Sequence, residues 1–497
     1  MRNSSSRFWI FTGVVLLLIF RLLAIFLLPP AYDEMVQNYM TNDIAHFTKF
    51  PVYFYGQQYM GPLESYLSAP FFRLFGFSYI KARFYYEFFY LSFLGLYVWL
   101  VRRLFDRELA VYLFTILSVL PFSILFFTTI VGYAEILTLA ILNLLLLLKI
   151  SYEPRYVNGF SLLMGIVSGL AFWCNPIFVV WLPSLFLGML WAVPSVWKKR
   201  IPLWYAAGFL AGLFPIWTHG FATGEWLHIL SAGSIPAKLG DMPHILYLFF
   251  ARMKYFLMTF AVDPNSTWIG GLVRYLSIIP FGFFIVSFCM FVFSFLKSWR
   301  DRSPRERIFF VFVTVSPVVL SFTYSSRQLL EDEGTRFFLP LLISYAFSIA
   351  WCIRQFRSQF WKRLVLGSLV GVFSLSVIVS LNWVFRQNLE LHHVRQFLKE
   401  KRLHYGIAEM NLAYALNALD QGNIVATPFL REARYGPVLS LVKKQGPEFA
   451  IFEPLHREYR EQLIKDPHLK KDSIDVYDIF YGSSPVLRKI LEPESHA

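Results

Sequence analysis

The stretch Leu27-Leu28-Pro29-Pro30-Ala31-Tyr32-Asp33-Glu34 ends the first long apolar run of the chain and sets two carboxylates directly behind it. In a chain that crosses a membrane repeatedly, an acidic pair at the outer mouth of the first span is where a base would meet a lipid-borne substrate. Ionisable groups in such places mark functional sites. An isolated pair could equally begin a solvated loop, so the rest of the sequence has to decide.

Composition settles the class. Hydrophobic residues make up 56% of the 497, aromatic residues 19% and charged residues only 16%, and the mean hydropathy is +0.50. These values lie outside the globular range and imply an integral membrane protein. Apolar runs long enough to cross the hydrocarbon core recur near 8–28, 84–101, 109–127, 131–150, 159–175, 177–196, 202–221, 272–296, 307–324, 337–353 and 363–385, about eleven spans in all. Only Asn175-Pro176 separates the fifth run from the sixth.

Arginine and lysine collect in one set of short connections: Arg2 and Arg7, Arg102, Arg103 and Arg107, Lys198 to Arg200, Lys297 to Arg307, and Arg354 to Arg363. The positive-inside bias puts these in the cytoplasm together with the amino terminus, in a plasma (inner) membrane. The Asp33-Glu34 loop and everything beyond about residue 386 then lie on the extracytoplasmic, periplasmic side. The formal net charge of +14 is accounted for by this bias and by anionic headgroups, so no nucleic-acid partner is implied. The first run has no small-residue cleavage pattern behind it and reads as a retained anchor.

Several chemistries are not supported. Cys174, Cys289 and Cys352 all fall in or beside predicted spans, which implies no disulfide framework. Zinc spacings, a Walker loop, GxGxxG and HExxH are missing. No cofactor is read from the sequence, and a divalent metal ion stays open because a carboxylate pair serves as base or as ligand.

The first outer loop, 29–83, is too long for a simple connector. Within it Leu63, Tyr66, Leu67, Phe71, Leu74 and Phe75 recur at the spacing of one helix face, which predicts an amphipathic helix along the membrane surface. Tyr53-Phe54-Tyr55-Gly56-Gln57-Gln58-Tyr59-Met60-Gly61-Pro62 precedes it, and Gly76, Lys81 and Arg83 follow.

The order of a first span, Asp-Glu, the Tyr-Gly-Gln-x-Tyr-x-Gly-Pro-Leu-Glu run, a surface helix, Phe-Gly and an Arg before span two resembles the GT-C glycosyltransferases. Within that superfamily it looks most like the protein O-mannosyltransferase-like and lipid A aminoarabinose transferase-like branch (glycosyltransferase family 39-like). Gly132-Tyr133-Ala134-Glu135, Gly169-Leu170-Ala171-Phe172-Trp173 with Asn175-Pro176, and Thr335-Arg336-Phe337-Phe338-Leu339-Pro340 extend the likeness over the membrane part. One departure is Tyr59-Met60-Gly61-Pro62, where the aminoarabinose branch carries Lys-Pro-Pro, so that branch's phosphate-gripping residue has no counterpart here.

The resemblance implies a polytopic α-helical GT-C fold and a polyprenyl-phosphate sugar donor. Its sugar would pass to an acceptor hydroxyl of a glycan, lipid or protein outside the cytoplasm, among membrane lipids. It implies Asp33 as general base, with Glu34 orienting it or meeting the acceptor, and two adjacent carboxylates are expected to raise one another's pKa. Arg336 is expected on the donor phosphate, with Arg83 and Lys81 as further contacts, because guanidinium forks suit phosphate oxygens. Tyr55, Gln57, Tyr59, Glu64 and Glu135 are expected in the substrate pocket. Arg21, inside span one, is expected to face protein or water, and Glu87 to be structural.

Outer loops at 222–271 and 325–336, the second carrying Arg327, Glu331, Asp332 and Glu333, are candidates to roof the site. The chain thus divides at the sequence level into a membrane catalytic part, 1–385, and a soluble α/β domain, 386–497. Helices are predicted near 389–402, 408–420 and 455–465, and strands near 424–426, 449–452 and 474–477. Glu409, Tyr414, Arg431 and Arg434 invite a role in acceptor choice, although the ordinary polarity of a solvated surface accounts for them as well. A transporter or flippase of a lipid-linked glycan would show internal repeats, and none is found. A glycan polymerase or ligase would carry its large loop much later in the chain.

Overall fold

The computed structural model describes residues 2–57, 59–130, 133–152, 156–192, 200–224, 278–323, 338–420, 423–429, 433–452 and 457–491. Helices α1 (Arg2–Leu27), α2 (Tyr32–Ala45), α3 (Leu63–Phe75) and α4 (Tyr79–Leu104) open the chain. They are followed by α5 (Arg107–Ser118), α6 (Phe122–Thr129), α7 (Ala134–Tyr152), α8 (Val157–Cys174), α9 (Leu182–Ala192), α10 (Ile201–Gly212) and α11 (Phe214–Thr223). Next come α12 (Ile278–Lys297), α13 (Pro304–Thr323), α14 (Leu341–Gln355) and the 42-residue α15 (Gln359–Glu400). The carboxy-terminal part holds β1 (Tyr405–Ala408), α16 (Met410–Asp420), β2 (Val425–Thr427), α17 (Gly436–Gln445), β3 (Phe449–Phe452), α18 (Arg457–Ile464), β4 (Lys470–Ile474), β5 (Tyr477–Tyr481) and α19 (Pro485–Lys489).

Two compact units result, and neither is continuous in sequence. One comprises Met1–Ala24, Gln58–Glu64 and Phe84–Ser380; the other comprises Ile25–Gln57, Ser65–Arg83 and Leu381–Ala497.

In the first unit the apolar runs, where described, fall on helices. Six helices among the described residues are long and apolar enough to cross a membrane, and up to eight spans result if each bent pair counts as one. The bends differ from the uninterrupted runs expected at 109–127 and 202–221. α5 and α6 meet at 81°, and α10 and α11 at 53°. Proline is the cause at both breaks: Pro121 caps α6 and Pro215 sits in the first turn of α11, where a missing N–H costs least. The outward faces carry large apolar side chains, with Phe11 70%, Phe88 62% and Phe293 72% exposed. Such faces suit lipid rather than water.

α8 and α10 pack backbone to backbone. A Cβ on Gly165 would lie 2.1 Å from the Tyr205 carbonyl, and one on Gly208 would lie 2.1 Å from that of Leu162. Gly169 and Gly212 repeat the contact four residues on in each helix, the small-xxx-small device by which membrane helices approach closely.

The second unit is built on a five-stranded sheet of order β2-β1-β3-β5-β4, parallel through its first three strands and antiparallel thereafter. Strand residues alternate between two cores. Ala408, Phe449, Ile451 and Ile479 meet Val394, Leu398, Leu412 and Leu416 on one face, and Ile407, Ala450, Phe452 and Phe480 meet Val442, Leu463 and Leu487 on the other. The structure departs from the expected elements in these places: β1, α17 and α19 have no counterpart among them, the residues 474–477 are the turn of the β4–β5 hairpin with Asp475 at φ +51°, and the helix expected at 389–402 is the tail of α15.

Candidate functional site

The second unit contains Asp33 and Glu34, which lie in the first turn of a helix rather than in a loop. Ala31 is extended, and the Glu34 side chain returns to accept from the Ala31 backbone N–H at 3.2 Å, the one half of a capping box that an alanine N-cap allows. Two carboxylates here also suit the positive end of the helix dipole.

Neighbouring residues on an α-helix project about 100° apart, and the two acids do not share an environment. Glu34 is fully buried against Arg83, whose Nε and Nη2 donate to Oε1 and Oε2 at 2.6 and 2.7 Å. Burial raises the Glu34 carboxyl above its ordinary value, while the charge and hydrogen bonds of Arg83 pull the other way. Arg83 Nη1 also donates to the carbonyls of Ile25 and Leu28 at 2.9 and 2.8 Å, and Nη2 to that of Pro29 at 3.0 Å. All five N–H groups of the guanidinium are therefore used, on Glu34 and on the carbonyls that end α1. An arginine so committed has no donor left for a phosphate. Lys81 is exposed and donates to the carbonyl of Phe75.

Asp33 meets a different cation. Arg434 Nη1 donates to its Oδ1 at 2.5 Å, with side-chain exposures of 19% for the arginine and 10% for the acid. The Gln57 amide oxygen, turned toward the guanidinium, accepts from Nη1 and Nη2 at 2.8 and 3.0 Å. The guanidinium carbon stands 4.7 Å over the Tyr32 ring, and the Arg434 backbone N–H donates to Tyr414 Oη at 3.2 Å. Gly56 is at φ +74°, and a Cβ there would lie 2.6 Å from the Arg434 side chain, so a glycine is required both by conformation and by this close approach. Nothing in the sequence pairs Arg434 with Asp33; the fold brings it to the acid 401 positions away.

Beside it, Tyr435 stacks on Tyr39 at 4.4 Å and donates to Asp43 Oδ1 at 3.2 Å. Tyr55 Oη donates to Asp43 Oδ2 at 2.8 Å. Burial, and then the Asp43 carboxylate, push the Tyr55 hydroxyl well up, so it stays a donor. Asp43 is a hub that the sequence reading missed.

The remaining expected residues belong to the first unit. Glu135 is buried in the first turn of α7, its Oε1 accepts from Cys174 Sγ at 3.5 Å, and it feels the charge of Glu64, which is also buried. Tyr59 is half-buried. Gly61 donates its N–H to the Trp173 carbonyl at 2.7 Å, and a Cβ there would strike the Trp173 indole at 2.3 Å. Arg21 faces protein: Nη1 lies 3.2 Å from both Glu87 Oε1 and Thr129 Oγ1, and the guanidinium stands 3.5 Å over Tyr90. Glu87 is its counter-ion. Arg336, Gly132, Arg431, the acidic residues of 325–336 and positions 225–271 of the outer loop expected at 222–271 lie outside the described residues.

Among the described residues no three or more His, Cys, Asp or Glu side chains gather as a metal would need. Asp33 and Glu34 each already carry an arginine.

No family model matches the sequence, and no curated protein sequence does. Solved structures do match. ArnT from Cupriavidus metallidurans in the apo state has a TM-score of 0.59 and 10% identity over 99% of this chain and 100% of its own. ArnT from the same organism bound to undecaprenyl phosphate gives 0.58 and 10%, over 96% and 98%. The Archaeoglobus fulgidus oligosaccharyltransferase in the apo form gives 0.46 and 13%, over 89% and 69%. At such identity the likeness to ArnT speaks for the fold. The chain shares the fold of ArnT over nearly its whole length, in keeping with the α-helical membrane fold expected from its sequence, carries a small carboxy-terminal sheet, and is a multi-pass membrane protein.

Proposed function

We propose that this fold carries a membrane glycosyltransferase that moves a sugar from a polyprenyl-phosphate donor to an acceptor hydroxyl on the extracytoplasmic side. The observation that carries the reading is the head of α2, where Asp33 is paired with a partly exposed arginine that Gln57 holds from its other side. This happens in a fold shared with ArnT, one structure of which holds undecaprenyl phosphate.

The chemistry asks little of the protein. The acceptor O–H gives its proton to the Asp33 carboxylate, its oxygen bonds to the anomeric carbon, and the bond from that carbon to phosphate oxygen breaks. Polyprenyl phosphate departs with the electron pair, and attack opposite the leaving group inverts the anomeric centre. Proton removal by a placed carboxylate contributes about 10²- to 10⁴-fold. Cations that hold the departing phosphate supply the other large share.

Arg336 remains our choice for that task, on the strength of Thr335-Arg336-Phe337-Phe338-Leu339-Pro340. Arg83 changes role in this proposal: with five donors spent, it positions Glu34 and the α1–α2 elbow. Glu135 and Glu64 are assigned to acceptor binding, and Tyr55, Gln57 and Tyr59 to the substrate pocket. The acceptor is a hydroxyl of a glycan, lipid or protein.

The test is transfer from labelled polyprenyl-phosphate sugar by the purified protein in proteoliposomes. Wild type releases polyprenyl phosphate, whereas Asp33→Asn inserts and accumulates but loses nearly all release. Movement of intact donor across the bilayer without release would instead make the protein a transporter.

A further inference from the structure

Of the two ion pairs at the head of α2, one looks permanent and the other exchangeable. Arg83 and Glu34 are both wholly buried and geometrically saturated. Arg434 keeps 19% of its side chain accessible, and the donors that reach Asp33 and Gln57 are the two terminal nitrogens, the pair that would also grip a phosphate. A base whose carboxylate accepts a 2.5 Å charge-assisted bond is not free to take a proton from an acceptor.

The residues around Arg434 are arranged so that its head can move while its root stays. Its backbone N–H is fixed to Tyr414, and the adjacent Tyr435 is stacked on Tyr39 and bonded to Asp43. Gly56 presents no side chain to the Arg434 stem. The Tyr32 face offers the guanidinium a cation–π surface, which is indifferent to which anion it serves.

Resting on the reading proposed above, we infer that Arg434 is a donor-sensing gate on Asp33. With no donor it neutralises the acid; when the donor's phosphate arrives, the guanidinium turns to the phosphate oxygens and Asp33 is released as a base. The site then activates an acceptor, or a stray water, only when there is a donor to attack. Arg434 would supply part of the phosphate grip that the missing Lys-Pro-Pro leaves open.

Thermodynamically, Asp33 and the lipid phosphate compete for one cation. If the guanidinium is off Asp33 about one tenth of the time, apparent affinity for the phosphate carries about a tenfold penalty. Removing the competitor should remove the penalty. The experiment measures binding of a short-chain polyprenyl-phosphate sugar, with no acceptor present, to the full chain in nanodiscs, for wild type, Asp33→Asn, Arg434→Gln and the double variant.

The gate predicts that Asp33→Asn binds about tenfold more tightly, that Arg434→Gln binds more weakly than wild type, and that the double variant matches Arg434→Gln. A gain that survives in the double variant would show mere relief of carboxylate–phosphate repulsion and overturn the inference, as would no gain at all. Should Asp33→Asn fail to accumulate folded, Gln57→Ala strips the other acceptor from the guanidinium and must also tighten binding; unchanged or weaker binding overturns the gate. Neutral polyprenol must bind all variants alike. Inorganic phosphate reproducing the pattern at the same concentration would overturn a lipid source for the ligand. No turnover is involved, so this cycle can fail while the Asp33→Asn transfer test succeeds, and the reverse.

Discussion

Replacing Arg83 with Met removes a guanidinium that makes five hydrogen bonds of 2.6–3.0 Å to Glu34, Ile25, Leu28 and Pro29. Breaking a buried ion pair from one side costs about 3–5 kcal/mol, because the other charge is left stranded. The three carbonyls close α1, so they lose their partners as well, at a net cost of about 1 kcal/mol each where water cannot replace the donor. A loss of about 4 kcal/mol or more is a large part of the roughly 5–15 kcal/mol that holds a domain together. At roughly 2–4 °C per kcal/mol, the midpoint measured by fluorescence-detected size exclusion in detergent should fall by about 10 °C.

Glu34→Gln on the Arg83→Met background should recover part of that loss, since no buried charge is then stranded, and the cycle should show coupling above about 1 kcal/mol. Arg83→Lys keeps the charge but at most three of five bonds, and should fall between. Any variant that folds should retain the wild-type KM for donor. A Met variant of near wild-type stability with a raised donor KM would refute the reasoning and return Arg83 to the phosphate.

Two further outcomes follow from other parts of the molecule. Asp420 loses solvent on burial, but hydrogen bonds from Lys399 and Arg395 outweigh this and hold its carboxyl below the ordinary 3.8. Its stabilisation is thus present above pH 3.8 and is lost as pH falls from there through the folded value; Asp420→Asn should be less stable at neutral pH and flatter in a thermal-shift series below pH 4. In α10, Gly208→Leu would drive a side chain into the Leu162 carbonyl, 2.1 Å from the new Cβ, and should part α8 from α10; yield and thermal midpoint should both drop, whereas Gly159→Leu, which has open space, should be neutral.

Much of the fold was legible because membrane crossing depends on a property that adds along the chain. About eleven apolar runs could be read from local hydropathy, against six, or up to eight with each bent pair as one, that stand as spans among the described residues, and the breaks at Pro121 and Pro215 are the part that summing hydropathy conceals. α2 was illegible for the opposite reason. Twelve of its 14 residues are buried, and these include Gln37, Asn38, Thr41 and Asp43, so no polar face alternates with an apolar one. The available signal was local and weak: two acids, Asp33 and Glu34, in what becomes the first turn, without a side-chain acceptor at the N-cap Ala31. Asp33 was found by its position after the first span, but its partner was not. Arg434 lies two residues before α17, outside any patterned element, and the requirement for glycine at position 56 that marks its close approach is visible only in three dimensions. The strand β1 is four residues with a glycine in second place, too short and too weakly patterned to register.

The adjacency of Asp33 and Glu34 suggested a coupled dyad, and the helix they begin argues for a division of labour instead. A turn of about 100° per residue sends one acid inward to a saturated, fully buried arginine and the other to an arginine at the edge. Pairs of the first kind cost about 3–5 kcal/mol to break from one side, and exposed pairs are worth about 0–1 kcal/mol. With 19% of its side chain accessible, Arg434 lies between these limits, low enough for the donor's phosphodiester anion, which offers two unesterified oxygens to the guanidinium fork, to compete with Asp33. Glu34 cannot be bid for in this way, since releasing Arg83 would also uncap α1. The rigid pair therefore fixes where the helix begins, and that in turn fixes where Asp33 stands each time its own arginine leaves.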